Sequence, residues 1–120
     1  MTVGELESLL SNICDNGYGD WAVYMCDDDD EDYTINHIYI DSDGDICLES
    51  TDAEYDTYDF TCVDILNRLR KYSDDTYVYF LEEYEDETTN SYDIDDAWYI
   101  GTDYEGDDIL NIDCFPMEDW

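Results

Sequence analysis

The side chains most able to do chemistry in this chain are carboxylates: 36 Asp and Glu stand against three Lys and Arg and one His. Two segments share the pattern D-x-[DE]-G-D, Asp41-Ser42-Asp43-Gly44-Asp45 and Asp103-Tyr104-Glu105-Gly106-Asp107. Acids at that spacing invite calcium. An EF-hand loop wants acids at positions 1, 3 and 5, Gly at 6 and Glu at 12. Counted from Asp41, Gly44 arrives two places early and Asp52 stands where Glu is needed. A calcium-binding module therefore ranks low, and weak condensation of divalent ions on an acidic surface is the stronger expectation. No metal site or cofactor is assigned.

Catalytic chemistry finds little support. His37, the sole histidine, lies between Asn36 and Ile38 with no nucleophile placed beside it. With so many acids, close carboxylate pairs arise by chance, and a pair alone does not make a glycosidase. Cysteines at 14, 26, 47, 62 and 114 are odd in number and contain no C-x-x-C pair. One His and scattered Cys make no zinc ligand set. Packing of reduced thiols is the expected role. The reading is of a protein that is not an enzyme.

The basic residues fall together at Arg68, Arg70 and Lys71. They belong to the last turn of a helix, where cations favour the dipole. Local capping and internal ion pairs account for them.

The elements that carry these side chains read as written twice. Thr2 and Glu5 form a capping box before apolar residues at Leu6, Leu9, Leu10 and Ile13, the spacing of one helix face. Thr61 with Asp64 repeats the cap, followed by Ile65, Leu66, Leu69 and Tyr72. Strand patterns follow at 21–25 and 76–80, each before an acidic run, Asp27 to Asp32 and Glu82 to Glu87. Further strands fit 38–40 and 98–100, then the D-x-[DE]-G-D hairpin signals, then 46–49 and 109–114. The expected fold class is α+β: an internal duplication of a helix–three-stranded antiparallel sheet unit (αβββ twice). Residues 1–50 are the first unit, 60–115 the second and 51–59 the link, packed into one pseudo-symmetric body. The strands at Tyr24, Tyr39, Tyr79 and Tyr99 alternate, so those tyrosines are expected to pack along the sheet.

Charge then narrows function. The formal net charge is −33 over 120 residues. Direct nucleic-acid binding needs Lys and Arg on phosphates, and an anionic membrane surface needs them too. No apolar run approaches the roughly 18–20 residues of a membrane-spanning helix. The opening MTVGELESLL carries Glu where an export signal needs Lys or Arg, so a cytoplasmic setting is expected. Leu, Ile, Val and Phe are sparse for a folded chain, yet thirteen Tyr, three Trp and the patterned apolar residues argue for a fold rather than an acidic tail. Duplex DNA carries one charge per about 1.7 Å of axis. A body roughly 35 Å across therefore matches a stretch of duplex with about 21 charges, fewer than this chain holds.

In size, acidity, aromatic content and near absence of Lys and Arg, the whole chain resembles the small acidic DNA-mimic inhibitors of phages and mobile elements, the anti-CRISPR and anti-restriction proteins. No family-specific motif carries the likeness. It implies a stoichiometric inhibitor, monomer or homodimer, acting in a host bacterial cytoplasm. The partner is a basic nucleic-acid-binding protein, a CRISPR effector ahead of a restriction enzyme. The expected partner-binding residues are Asp27, Asp28, Asp29, Asp30, Glu31 and Asp32 at one tip, and Glu82, Glu83, Glu85, Asp86 and Glu87 at the other. Asp41, Asp43, Asp45, Asp93, Asp95, Asp96, Asp103, Glu105, Asp107 and Asp108 form rows and turns. Tyr33, Tyr84, Tyr92 and Tyr104 lie among these acids and are placed to stack on arginine. An acidic buffer for basic proteins and an ordinary halophilic surface are the other readings. Self-repulsion at this charge weakens the compact state, so added salt raises the melting temperature. A melting temperature flat from low to high salt would contradict this.

Overall fold

A computed structural model describes residues 1–27, 32–51, 60–83, 88–102 and 106–117. Helix α1, Val3–Ile13, starts on the capping box of Thr2 and Glu5, and α2, Cys62–Leu69, on that of Thr61 and Asp64. Each box satisfies backbone N–H groups that a helix start leaves unpaired. Among the described residues seven strands follow: β1 Val23–Cys26, β2 Asp32–Thr34, β3 His37–Ile40, β4 Ile46–Thr51, β5 Val78–Glu83, β6 Thr89–Thr102 and β7 Asp108–Pro116. In β5 the alternation is complete: Val78, Phe80 and Glu82 face inward, with the residues between them only half-buried.

All seven strands share one mixed sheet in the order β2-β1-β7-β6-β5-β4-β3. This overturns the duplicated αβββ expectation. The second half pairs into three contiguous antiparallel strands, β5-β6-β7, but the first half is split into two antiparallel pairs, β1-β2 and β3-β4, at opposite ends of the same sheet. Strand β1 lies parallel to β7, and β4 lies parallel to β5, so the two pairs of the first half flank the three strands of the second in one ladder. The helix starts cross over as well. Met1 accepts from the Val78 N–H and Val3 donates to Thr76, which fastens α1 to β5. Phe60 accepts from the Val23 N–H and Cys62 donates to Trp21, which fastens α2 to β1. The physical reason is that a unit of 50–60 residues buries too little surface alone, while two interleaved halves share one core and leave fewer open edges.

The sheet must also curl. Strands β2 and β3 are its two edges, six spacings apart, which in a flat sheet is about 29 Å. Yet Thr34 and His37 are joined only through Ile35 and Asn36, both buried, a link that reaches about 11 Å at most. Rolling the sheet brings the edges to that joint. The helices pack their apolar faces, Val3, Leu6, Leu10 and Ile13 with Ile65, Leu66 and Leu69, into the same core as Val23, Met25, Ile46, Leu48, Phe80 and Leu110.

Two rows of side chains cross the outer face. Tyr39, Cys47 and Tyr79 stand opposite one another on β3, β4 and β5, and Tyr24, Asn111 and Tyr99 on β1, β7 and β6. The middle residue of each row, Cys47 or Asn111, is buried although it faces outward. Gly101 is required beside the second row. A Cβ there would stand 2.3 Å from Asn111 Nδ2, and the buried amide has little room to yield. Gly101→Ala is expected to lower stability by about 1–3 kcal/mol, read as a shift of the urea midpoint at unchanged slope.

Candidate functional site: the acidic surface

The acids divide into those the fold uses and those it displays. Asp27 and Glu82 are the inward ones, buried at the ends of β1 and β5. Each takes a hydrogen bond from a tyrosine: the Tyr33 hydroxyl donates to Asp27 Oδ2 at 2.9 Å, and Tyr92 donates to Glu82 Oε2 at 3.1 Å. Tyr33 and Tyr92 are themselves core residues, in ring contact with each other and with Phe80 at centroid separations of 5.7 to 6.4 Å. These four are therefore turned away from the surface expected to meet a partner. Strand pairing explains it: β2 and the first half of β6 bring alternate residues inward, where an aromatic ring is stabilising. Cys114 lies near both acids, and burial first, then Asp27, pushes its thiol upward.

The Asp41–Asp45 segment is a closed turn, not an extended row. Asp41 Oδ1 accepts the backbone N–H groups of Asp43 and Asp45 at 2.9 Å each, and Gly44 adopts φ 86°. The Tyr79 hydroxyl donates to Asp41 Oδ2 at 2.8 Å. That bond and the turn's N–H groups hold the Asp41 carboxyl below its ordinary value. Asp43 points to solvent and Asp45 is half-buried. Among the described residues no three His, Cys, Asp or Glu side chains gather as a metal-holding group.

On β6, Tyr92 and Ile94 face inward, so Asp93 and Asp95 lie on the outer face. Asp93 accepts from the Tyr77 hydroxyl. The register then shifts between Ile94 and Trp98, a bulge that presents Asp96 to solvent. Asp107 and Asp108 are exposed at the start of β7, and Glu83 is half-buried at the end of β5. Asp32 contributes backbone to β2. Asp28, Asp29, Asp30, Glu31, Tyr84, Glu85, Asp86, Glu87, Asp103, Tyr104 and Glu105 lie outside the described residues.

The surface also holds aromatic rings that the acidic tips did not point to. Tyr39 is 37% and Tyr99 43% exposed. The Tyr39 hydroxyl donates to Glu49 Oε2 at 2.8 Å and the Tyr99 hydroxyl to Cys26 Sγ at 2.9 Å. A ring beside a carboxylate is a geometry that a guanidinium can stack on and fork to. Alternation of Tyr39 and Tyr99 along their strands was the signal that could have found them. The basic side is small: the Arg68 guanidinium sits 5.4 Å over the Phe60 ring, and Arg70 donates to Asn67. Phe60, Asp64, Asn67, Arg68 and Lys71 line a shallow cleft of about 280 Å³.

Burial raises Tyr39 and Tyr79 above the ordinary tyrosine value of 10.0, and their carboxylate partners, Glu49 and Asp41, add to it. The sign follows. A raised folded pKa means that the folded state keeps its proton while the unfolded state loses one, so this stability is complete below pH 10 and falls as pH rises beyond it. Urea midpoints are expected to drop from pH 10 to 11, and Tyr79→Phe to make that drop shallower. An equal drop in the variant would refute the assignment. No family model matches this chain, and no curated protein or solved structure matches it either.

Proposed function

We propose that this protein is a DNA-mimic inhibitor that occupies the basic nucleic-acid channel of a defence nuclease, a CRISPR effector ahead of a restriction enzyme, in a host cell's cytoplasm. One observation carries the reading. A body of 38 × 34 × 25 Å bears a net charge of −33, and of the acids whose side chains are described only Asp27 and Glu82 are buried. A duplex of the same length carries about 22 phosphates. Exposed acids stand at the hairpin turn (Asp43), the β6 bulge (Asp96) and the start of β7 (Asp107, Asp108), where they can meet Lys and Arg. Exposed Tyr39 and Tyr99 favour the same partner, since their rings offer arginine a stacking face. The action is stoichiometric: the inhibitor holds the channel and the nuclease is left without its DNA.

The target is to be found by pulldown from a host lysate with salt elution, and one nuclease is expected to dominate the eluate. That nuclease should then bind either labelled DNA or the inhibitor, never both, with inhibitor affinity falling steeply as salt rises. Reversing Asp43, Asp96, Asp107 and Asp108 to Lys should weaken inhibition at least about tenfold at fixed ionic strength. DNA that stays bound at saturating inhibitor would rule out competition, and capture of many unrelated cationic proteins would favour the acidic-buffer reading.

A further inference from the structure

The end of α1 and the start of α2 meet through sulfur. Cys14 follows the last residue of α1 and Cys62 is the first residue of α2, and their Sγ atoms stand 3.6 Å apart although 48 positions separate them in the chain. Both are free thiols. A disulfide holds its sulfurs about 2.05 Å apart, so closure requires about 1.6 Å of approach.

The two sides are unequal. Cys62 is fully buried, and its thiol donates to the Leu10 carbonyl at 3.4 Å. Cys14 is half-buried and opens a π-helical turn, Cys14–Tyr18, in which Gly17 takes φ 95°. Gly19 lies against it without a side chain: a Cβ there would come within 3.4 Å of Cys14 Sγ. Cys14 is thus the sulfur that solvent and a small reagent can reach, with Cys62 positioned behind it. The other three cysteines, Cys26, Cys47 and Cys114, are all buried.

We propose that Cys14 and Cys62 are an oxidative modification site, which closes to an intramolecular disulfide by exchange with a small-molecule disulfide such as oxidised glutathione. The Cys14 thiolate attacks one sulfur of the reagent, the reagent's S–S bond breaks and one glutathione leaves. Cys62 gives up its proton and attacks the Cys14 sulfur in the mixed disulfide, and the second glutathione departs. Two protein thiols are oxidised and one small disulfide is reduced to two thiols, so electrons and protons balance. Burial holds the Cys62 thiol above its ordinary range, which makes Cys14 the first to react and Cys62 the resolving sulfur. The pair stays open in a reducing cytosol and closes on oxidative exposure. Closure pins α1 to α2 and restricts the unfolded chain.

The test uses the full native chain incubated with oxidised glutathione, then denatured and alkylated. The expected product has lost two hydrogens, retains three alkylatable thiols out of five, maps its cross-link to residues 14 and 62, and melts at least about 5 °C higher. Dithiothreitol reverses all four changes. Cys14→Ser, a change at the half-exposed partner, should show none of them, and Cys62→Ser should stop at one glutathione adduct on Cys14. A wild-type chain that keeps five thiols, ends as a stable glutathione adduct, or joins a different pair of cysteines overturns the proposal.

Discussion

The hydrogen bond from a tyrosine hydroxyl to a carboxylate is the interaction on which this molecule rests. Among the described residues it joins Tyr33 to Asp27, Tyr39 to Glu49, Tyr77 to Asp93, Tyr79 to Asp41 and Tyr92 to Glu82. Most proteins settle a partly buried acid with Lys or Arg. This chain has three such residues for 36 acids. A phenol is a neutral donor, so it satisfies the carboxylate without cancelling its charge, and it brings a ring that packs. Where the carboxylate is buried, as at Asp27 and Glu82, the bond also offsets the cost of removing the charge from water. The device stabilises the fold and leaves its field intact.

The same arrangement separates two roles that the composition confounds. Acids at Asp27 and Glu82 belong to the interior and hold aromatic rings in place. Acids at Asp43, Asp96, Asp107 and Asp108 are exposed, at a turn, a bulge and a strand start. The rolled sheet sets the curvature of this display, because its ladder carries the outer side chains around the core rather than across a plane. A surface of that shape presents negative charge in several directions, with exposed tyrosines set among the carboxylates.

Local structure was legible where short-range chemistry decides it. Thr2 with Glu5 and Thr61 with Asp64 marked both helix starts, and the Asp-Gly turn at 41–45 marked the β3–β4 hairpin. Strand β2 and the first half of β6 were hidden, since their composition is acidic and polar. Their trace was the recurring Tyr-x-Ile of Tyr33-Thr34-Ile35 and Tyr92-Asp93-Ile94, which places ring and branched side chain on one face. Partnership was legible where the two D-x-[DE]-G-D signals lie between strands, β3 with β4 and β6 with β7, but the parallel pairings were not. Whether β1 lies beside its own hairpin alone or also beside β7 is decided by burial across the whole body, and no local pattern encodes that. The candidate surface followed the same division: total charge could be read directly, whereas the inward turn of Asp27 and Glu82 depends on tyrosines 6 and 10 positions further on.

The parallel pairing of β1 with β7 has a temporal side. Residues 23–26 emerge early in synthesis and wait for residues 110–113 before their ladder is filled. Strand β4 likewise waits for β5 across the whole of α2. Such long-range closure makes folding slow and leaves strand edges open in the interval. Charge acts in that interval too: nascent chains this acidic repel one another, so the open edge of β1 meets its own β7 before it meets a neighbour's.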